Sequence, residues 1–421
     1  MQSSKNYEVK DLSLASQGYK NIGWAARHMG ALMKIREYFN EYRPLKGARI
    51  GMALHVTKES ANLIKTLLTG GAEVAITGCN PLSTQDDVAA ALASVGVRVW
   101  AYKGETTEDY YRYLENVVSF RPNITIDDGC DLVSLIHLKH PELIRYMLGG
   151  CEETTTGVIR LRAMKNDDSL KYPVIAVNDN KTKHLLDNYY GTGQSTLDGI
   201  VRATNILLAG KTVVVAGYGD CGKGFALRSR AMGANVIVTE IDNFAALKAV
   251  YDGFRVMRMD ATLKEGDIYC TLTGNKHVIT TAHMRKMKDG AILANSGHFD
   301  VEIDVRGLES IAKSKRSIRS SLDEYTLDDG KRIYLCAEGR LVNLAAAEGH
   351  PSEVMSTSFC GQALACEYLV KNRGKLPVDV ITLPESIDDK IAALQLSCMG
   401  VKVDKLTKGQ KKYLSSWREG T

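Results

Sequence analysis

None of the nine cysteines in this 421-residue chain belongs to a CxxC pair. They are scattered and odd in number, which argues against a zinc ligand set or a disulfide framework. They are expected to be buried, reduced thiols of a cytoplasmic protein, and no metal is expected. No apolar run approaches the length of a membrane span. The first residues, Met1-Gln-Ser-Ser-Lys-Asn-Tyr-Glu8, lack the apolar stretch of a secretory signal. Aromatic residues are only 7%, the net charge of +5 is mild, and Lys and Arg form no long run. Neither a membrane nor a nucleic acid is expected as partner. What is present is ordinary for a folded chain: 44% apolar and 24% charged residues, with length for two or three domains.

Short apolar strands alternate with helical stretches. Candidate strands are Ala48–His55, Glu73–Thr77, Val97–Ala101, Ile124–Asp127 and Val174–Val177, then Thr212–Ala216, Val236–Glu240, Asp267–Thr271 and Ala291–Asn295. This βα alternation implies mostly parallel sheets. The expected fold class is α/β, with two doubly wound, Rossmann-like parallel-sheet domains and a short C-terminal helical tail. Tyr189–Gly193 is a candidate hinge, and a helix is expected over Ser358–Lys371.

Lys211-Thr-Val-Val-Val-Ala-Gly-Tyr-Gly-Asp-Cys-Gly-Lys-Gly224 places Gly217-x-Gly219-x-x-Gly222 between a strand and a helix. Gly217 permits the tight turn, Gly219 leaves room for a pyrophosphate, and Gly222 lets the helix pack on the strand. The helix N-terminus offers free N–H groups to phosphate. Glu240, 23 residues after Gly217, ends the next strand. Its carboxylate accepts from ribose hydroxyls and repels a 2′-phosphate, so the expected cofactor is NAD rather than NADP.

Polar clusters sit at four other strand ends: His55, Asp127-Asp128, Glu152-Glu153-Thr154-Thr155-Thr156 and Asn178-Asp179, followed by Lys183, Asp187 and Asn188. Each has an ordinary explanation. His55 alone reads as a core histidine, Asp127-Asp128 equally as a helix N-cap, and Lys183/Asp187 as an i,i+4 pair. Four together beside a nicotinamide site imply a reactive cleft between domains.

Asp127-Asp-Gly-Cys-Asp-Leu132, Glu152-Glu-Thr-Thr-Thr-Gly157, Val177-Asn-Asp-Asn-Lys-Thr-Lys183, Ala216-Gly-Tyr-Gly-Asp-Cys-Gly-Lys-Gly224, Gly297-His-Phe-Asp-Val-Glu-Ile-Asp304 and Ala337-Glu-Gly-Arg-Leu-Val-Asn343 resemble the S-adenosylhomocysteine hydrolase family. The resemblance runs from about residue 7 to the end and is similar to the shorter archaeal or thermophilic-bacterial branch. It implies an enzyme of the methyl cycle that oxidises the 3′-hydroxyl of a nucleoside thioether with NAD, eliminates homocysteine, adds water and returns the hydride. It also implies a substrate domain over 1–188 and 346–385, an NAD domain over 189–345, an oligomerisation tail over 386–421 and a homotetramer.

The resemblance implies roles residue by residue. Lys183, with a lowered pKa, and Asp187 bracket the 3′-hydroxyl. Asn188 and Glu153 orient the ribose and Lys183. Asp128 and His55 act at C4′ and C5′, with their division of labour open, and His298 completes the catalytic set. Thr154, Thr155, Thr156, Gly217, Gly219, Asp220, Cys221, Gly222, Glu240, Ser296, Gly297, His298, Asn343 and His350 hold NAD. Leu54, Thr57, Glu59, Gln85, Met355 and Phe359 join Asp128, Glu153, Lys183 and Asp187 around the nucleoside. A second hinge is expected over Gly349–Pro351.

Thr57 and Glu59 match the pattern suited to adenine; a related archaeal pattern has Glu and Lys there and suits S-inosylhomocysteine. Adenosyl is therefore the expected substrate and inosyl the alternative. The sequence departs from the better-known eukaryotic pattern at Thr192, where a Cys is usual, and at Glu348, where Met is common. The C-terminal Lys and Tyr of longer members have no counterpart; Lys411, Lys412 and Tyr413 precede that point, so freer NAD exchange is expected. An ordinary dehydrogenase that releases NADH and a non-catalytic NAD sensor are competing readings. The intact catalytic positions argue against the sensor.

Overall fold

The computed structural model describes residues 6–418. The first domain begins with β1 (Tyr7–Glu8), β2 (Arg49–Ala53), β3 (Glu73–Thr77), β4 (Arg98–Trp100), β5 (Ile124–Asp127), β6 (Gly149–Glu152) and β7 (Val174–Ala176). The second holds β8 (Thr212–Ala216), β9 (Asn235–Thr239), β10 (Arg255–Val256), β11 (Ile268–Thr271), β12 (Ala291–Asn295), β13 (Ala312–Arg319), β14 (Leu322–Leu327) and β15 (Arg332–Cys336). The chain then returns to the first domain, where β16 (Val380–Ile381) pairs with β7.

The first sheet runs β1-β4-β3-β2-β5-β6-β7-β16, with parallel pairing throughout. The second runs β10-β9-β8-β11-β12-β15-β14-β13. Central strands such as β5 and β12 are buried along their whole length, as a sheet covered on both faces requires. Each sheet has an apolar cluster on either face. The helix Ser352–Lys371 belongs to the first domain's core through Phe359, Cys360, Ala363 and Leu364.

Strand order reverses between β2 and β5 in one sheet and between β8 and β11 in the other. Crevices at the carboxyl ends of such strands are where open α/β sheets bind ligands.

Three features differ from the sequence reading. The second sheet is completed by an antiparallel β13–β14–β15 meander, whose outer strand is exposed along most of its length and carries Lys313, Lys315, Arg316 and Arg319. Charge on an exposed edge suits a strand that must not pair further. The helix expected from Ser358 starts at Ser352, just after Pro351. The stretch expected as a hinge, Tyr189–Gly193, is helical: His184–Gly191 is π-helical and runs directly into the helix Thr192–Thr204. Its glycines allow close approach. A Cβ on Gly193 would lie 2.5 Å from the Gly224 carbonyl carbon.

Among the described residues no helix is long and apolar enough to cross a membrane. Helices Glu385–Cys398 and Lys408–Leu414 form the tail.

Candidate active site

A cavity of about 1110 Å³ is lined by strand-end loops of both sheets. The acidic doublets show how the pleat selects its walls. Successive residues of a strand point to opposite sides, and in each doublet the second carboxylate, Asp128 or Glu153, lines the cavity. The first lies fully buried beneath it. Asp127 accepts from the N–H groups of Asp128 (3.0 Å) and Val133 (2.8 Å). Glu152 accepts from Gly129 (2.9 Å) and Thr154 (3.0 Å). Burial pushes Asp127 up to about 7. Burial and the nearby charges of Asp127 and Asp128 push Glu152 upward too. Sequence reasoning missed these bracing roles; the doubled acids at two strand ends were the available signal.

Lys183 is the centre of one polar cluster. Its ammonium donates to Asn188 Oδ1 at 2.8 Å and lies 3.1 Å from Asp187 and 3.6 Å from Glu153. A π turn bonds i to i+5, so residues 187 and 188 both come round to residue 183. Asn188 donates on to Asn178 at 3.2 Å. Glu153 accepts from Ser358 and Gln362 of the long helix, and Asp187 meets His350 Nδ1.

The expected lowering of the Lys183 pKa is overturned. Burial does oppose its charge, but Asp187, Glu153 and Asp128 outweigh it and hold Lys183 above the usual lysine range. Burial also opposes the charge of Asp187, yet His350 and Lys183 hold its carboxyl below the usual range. Burial raises Glu153 despite Lys183.

A second cluster joins the two domains. His55 Nε2 and His298 Nδ1 each lie 3.5 Å from an oxygen of Asp128. His55 Nδ1 is 2.8 Å from Ser83 Oγ and 3.3 Å from Cys79 Sγ. Burial lowers His55 to about 4; Asp128 opposes the shift, and His298 and His350 add to it. The imidazole is therefore neutral near pH 7. The ligand atoms of His55, Asp128 and His298 converge to within 4.8 Å, close enough to hold a metal ion.

The cofactor half is built as the glycines require. Gly217 has φ +99°, a conformation open to glycine. A Cβ on Gly222 would stand 2.0 Å from Gly217 O, whereas one on Gly219 would meet nothing within 4 Å. Gly219 lines the cavity and caps the helix Asp220–Ala231 with no side chain on its amides. Glu240 accepts from the N–H groups of Tyr218 (2.6 Å), Ile241 (2.6 Å) and Asp242 (3.1 Å). Asn343 donates to Ser195 at 3.2 Å, while its Oδ1 is buried without a partner, as a carboxamide binder would be before its ligand arrives. An open phosphate cradle, unpaired amides, a strand-end carboxylate and an orphaned amide oxygen fit NAD.

The remaining expected residues fall as follows. Thr154, Thr155, Thr156, Asp220, Cys221, Ser296, Gly297, His350, Leu54, Thr57, Glu59, Met355 and Phe359 all line the one cavity. Thr192 approaches His350 Nε2 at 3.2 Å and accepts from Cys221 at 3.5 Å. Two expected contacts do not reach the cavity wall. Gly222 acts through helix packing alone. Gln85, just before the helix Asp86–Ser94, accepts from the Lys58 N–H at 3.0 Å and donates to the Glu348 carbonyl at 3.4 Å. The wall also includes Thr273–Val278, a loop the sequence reading passed over although it follows β11 directly.

A family model for the NAD-binding domain of S-adenosyl-L-homocysteine hydrolase matches residues 188–349, and a second for S-adenosyl-L-homocysteine hydrolase matches residues 6–142. The chain is 58% identical to an adenosylhomocysteinase of Saccharolobus solfataricus, with 99% of this chain and all of that one covered. The adenosylhomocysteinase of Aquifex aeolicus is also 58% identical at the same coverage. An S-inosyl-L-homocysteine hydrolase of Methanocaldococcus jannaschii is 57% identical, again over 99% of this chain and all of that one. With its NAD cradle and both polar clusters in one cavity, this chain belongs to the S-adenosyl-L-homocysteine hydrolase family of NAD-binding enzymes.

Proposed function

We propose that the protein reversibly hydrolyses S-adenosyl-L-homocysteine to adenosine and L-homocysteine by 3′-oxidation, elimination, water addition and re-reduction. One observation carries this reading: the NAD cradle shares its cavity with two separate acid–base clusters, one around Lys183 and one around His55 and Asp128. Simple alcohol oxidation needs one such cluster; elimination from the neighbouring carbon needs a second. When bound, NAD would supply the hydride acceptor for C3′ and the hydride for its later re-reduction.

The Lys183 ammonium hydrogen-bonds the 3′-oxygen, and the hydroxyl proton passes through it to Glu153, whose burial favours the acid form. Asp128 removes the proton at C4′, made acidic by the adjacent ketone; the electron pair forms the C4′–C5′ double bond as the C5′–S bond breaks, and the departing thiolate takes that proton from Asp128. Neutral His55 activates the water that adds at C5′. Glu59, which accepts from Ser352 at 2.6 Å, presents a carboxylate to the amine of adenine. The name of the Methanocaldococcus relative supports the inosyl thioether as a second reading.

Homotetramer formation in the cytoplasm belongs to the same proposal. Phe244 and Trp417 are 84% and 90% exposed, apolar surface of the kind that subunit contacts cover. Light scattering on the purified protein measures the assembly.

The deciding experiment follows free thiol release from the adenosyl and inosyl thioethers side by side while absorbance at 340 nm is recorded. Thiol release without NADH accumulation is expected, faster from the adenosyl compound. Steady NADH accumulation would indicate an ordinary dehydrogenase. A higher kcat/KM for the inosyl thioether would reverse the substrate assignment.

A further inference from the structure

Lys58 is a buried cation beside Glu59. Its ammonium lies 3.5 Å from Glu59 Oε1 and 3.0 Å from Glu348 Oε2. Lys58 is 9% exposed as a residue, whereas the Glu348 side chain is 61% exposed. Arg202, from the other domain, approaches the second Glu348 oxygen at 3.7 Å. Glu348 lines the cavity, as does Glu59. Lys58 and Arg202 hold the Glu348 carboxyl below its usual range.

We infer that Lys58, tethered by Glu348, sets the choice between a 6-amino and a 6-oxo purine, an assignment that rests on the nucleoside reading of this cavity. A 6-amino purine offers N–H donors and suits the acceptor Glu59. A 6-oxo purine offers an oxygen acceptor and suits an ammonium. The ammonium is already within 3.5 Å of the carboxylate that would meet that edge, and a lysine stem is flexible enough to turn toward it. Glu348 pulls it the other way and neutralises it. Bound so, Lys58 leaves the purine edge to Glu59, and the amino compound is favoured. Release from Glu348 frees the ammonium to serve the oxo compound.

The test is the ratio of kcat/KM for the inosyl and adenosyl thioethers, measured by thiol release on each protein preparation. A ratio taken on one preparation cancels any loss of folded enzyme. Glu348→Met is expected to raise the inosyl-to-adenosyl ratio by about tenfold, the effect of one modest polar contact. Adding Lys58→Met to Glu348→Met is expected to abolish that rise. A ratio within about twofold of wild type in Glu348→Met, or a rise that survives in the double variant, would overturn the assignment while leaving the hydrolase reading intact. Failure of the wild-type protein to release thiol from either compound would overturn both.

Discussion

The Lys183 ammonium lies 3.1 Å from the Asp187 carboxylate across a π-helical turn. With Asp187, Glu153 and Asp128 all opposing its burial, the lysine stays charged. In the proposed mechanism it would meet the 3′-hydroxyl as a donor that relays a proton to Glu153. Lys183→Met should still bind NAD but fail to reduce it when adenosine is added, read at 340 nm. Removing one partner of a buried pair costs about 3–5 kcal/mol, so the variant should also unfold at lower temperature. Undiminished NADH formation in this variant would remove Lys183 from the oxidation step.

His55 predicts a pH dependence with a definite sign. Its ordinary value is 6.5 and its folded value about 4, so the unfolded chain binds a proton in this window that the folded one refuses. Stability contributed by neutral His55 is complete above about pH 6.5 and is lost as pH falls toward 4, by up to roughly 3 kcal/mol. His55→Gln should flatten that part of the stability–pH curve in urea titrations. The same variant should retain 3′-oxidation yet lose thiol release by roughly 10²–10⁴-fold, the usual worth of a positioned acid or base. Equal loss of both activities would place His55 in the oxidation step instead.

The parts of the site were legible in the sequence to different degrees, for physical reasons. The Gly217, Gly219 and Gly222 spacing and Glu240 could be read directly, because a tight turn and a close phosphate constrain the backbone locally. Asp128 and Glu153 stood out from Asp127 and Glu152 only through the family pattern, because either member of a doublet could face the cavity until the pleat was known. The upward shift of Lys183 was invisible: it depends on Glu153 after β6, Asp128 after β5 and Asp187 on a π turn, groups brought together only by the fold. The strand β13 escaped notice because Lys313–Arg319 is charged and exposed on both faces, with no apolar alternation to mark a strand.

Glu240 tests cofactor choice. Its carboxylate accepts from three backbone N–H groups at the end of β9, leaving one lone pair, on Oε2, for a ribose hydroxyl. Glu240→Ala should weaken NAD binding by roughly 10- to 100-fold, the worth of hydrogen bonds to a charged group. It should also narrow the preference over NADP, since the repulsion of a 2′-phosphate is lost while Arg258 still lines the cavity. Calorimetric titration with both dinucleotides measures the two effects. An unchanged NAD-to-NADP ratio would show that Glu240 does not select the cofactor.

Two glycines of one fingerprint should fail in different ways when replaced by alanine. A Cβ on Gly222 would lie 2.0 Å from Gly217 O, a backbone atom that cannot move without opening the turn. Gly222→Ala should therefore lower stability by about 1–3 kcal/mol, the cost of overpacking, before any ligand is considered. Gly219 has φ −67° and ψ −170°, which alanine adopts freely, and a Cβ there meets no protein atom within 4 Å. Gly219→Ala should keep the wild-type Tm without ligand. Its methyl group would instead occupy the space through which a pyrophosphate approaches the helix amides, so NAD affinity should fall at least tenfold. Thermal unfolding with and without NAD separates the two: Gly222→Ala lowers the ligand-free Tm, while Gly219→Ala loses only the NAD-induced rise. A Gly219→Ala protein with the full NAD-induced rise would show that the dinucleotide does not pass over this turn.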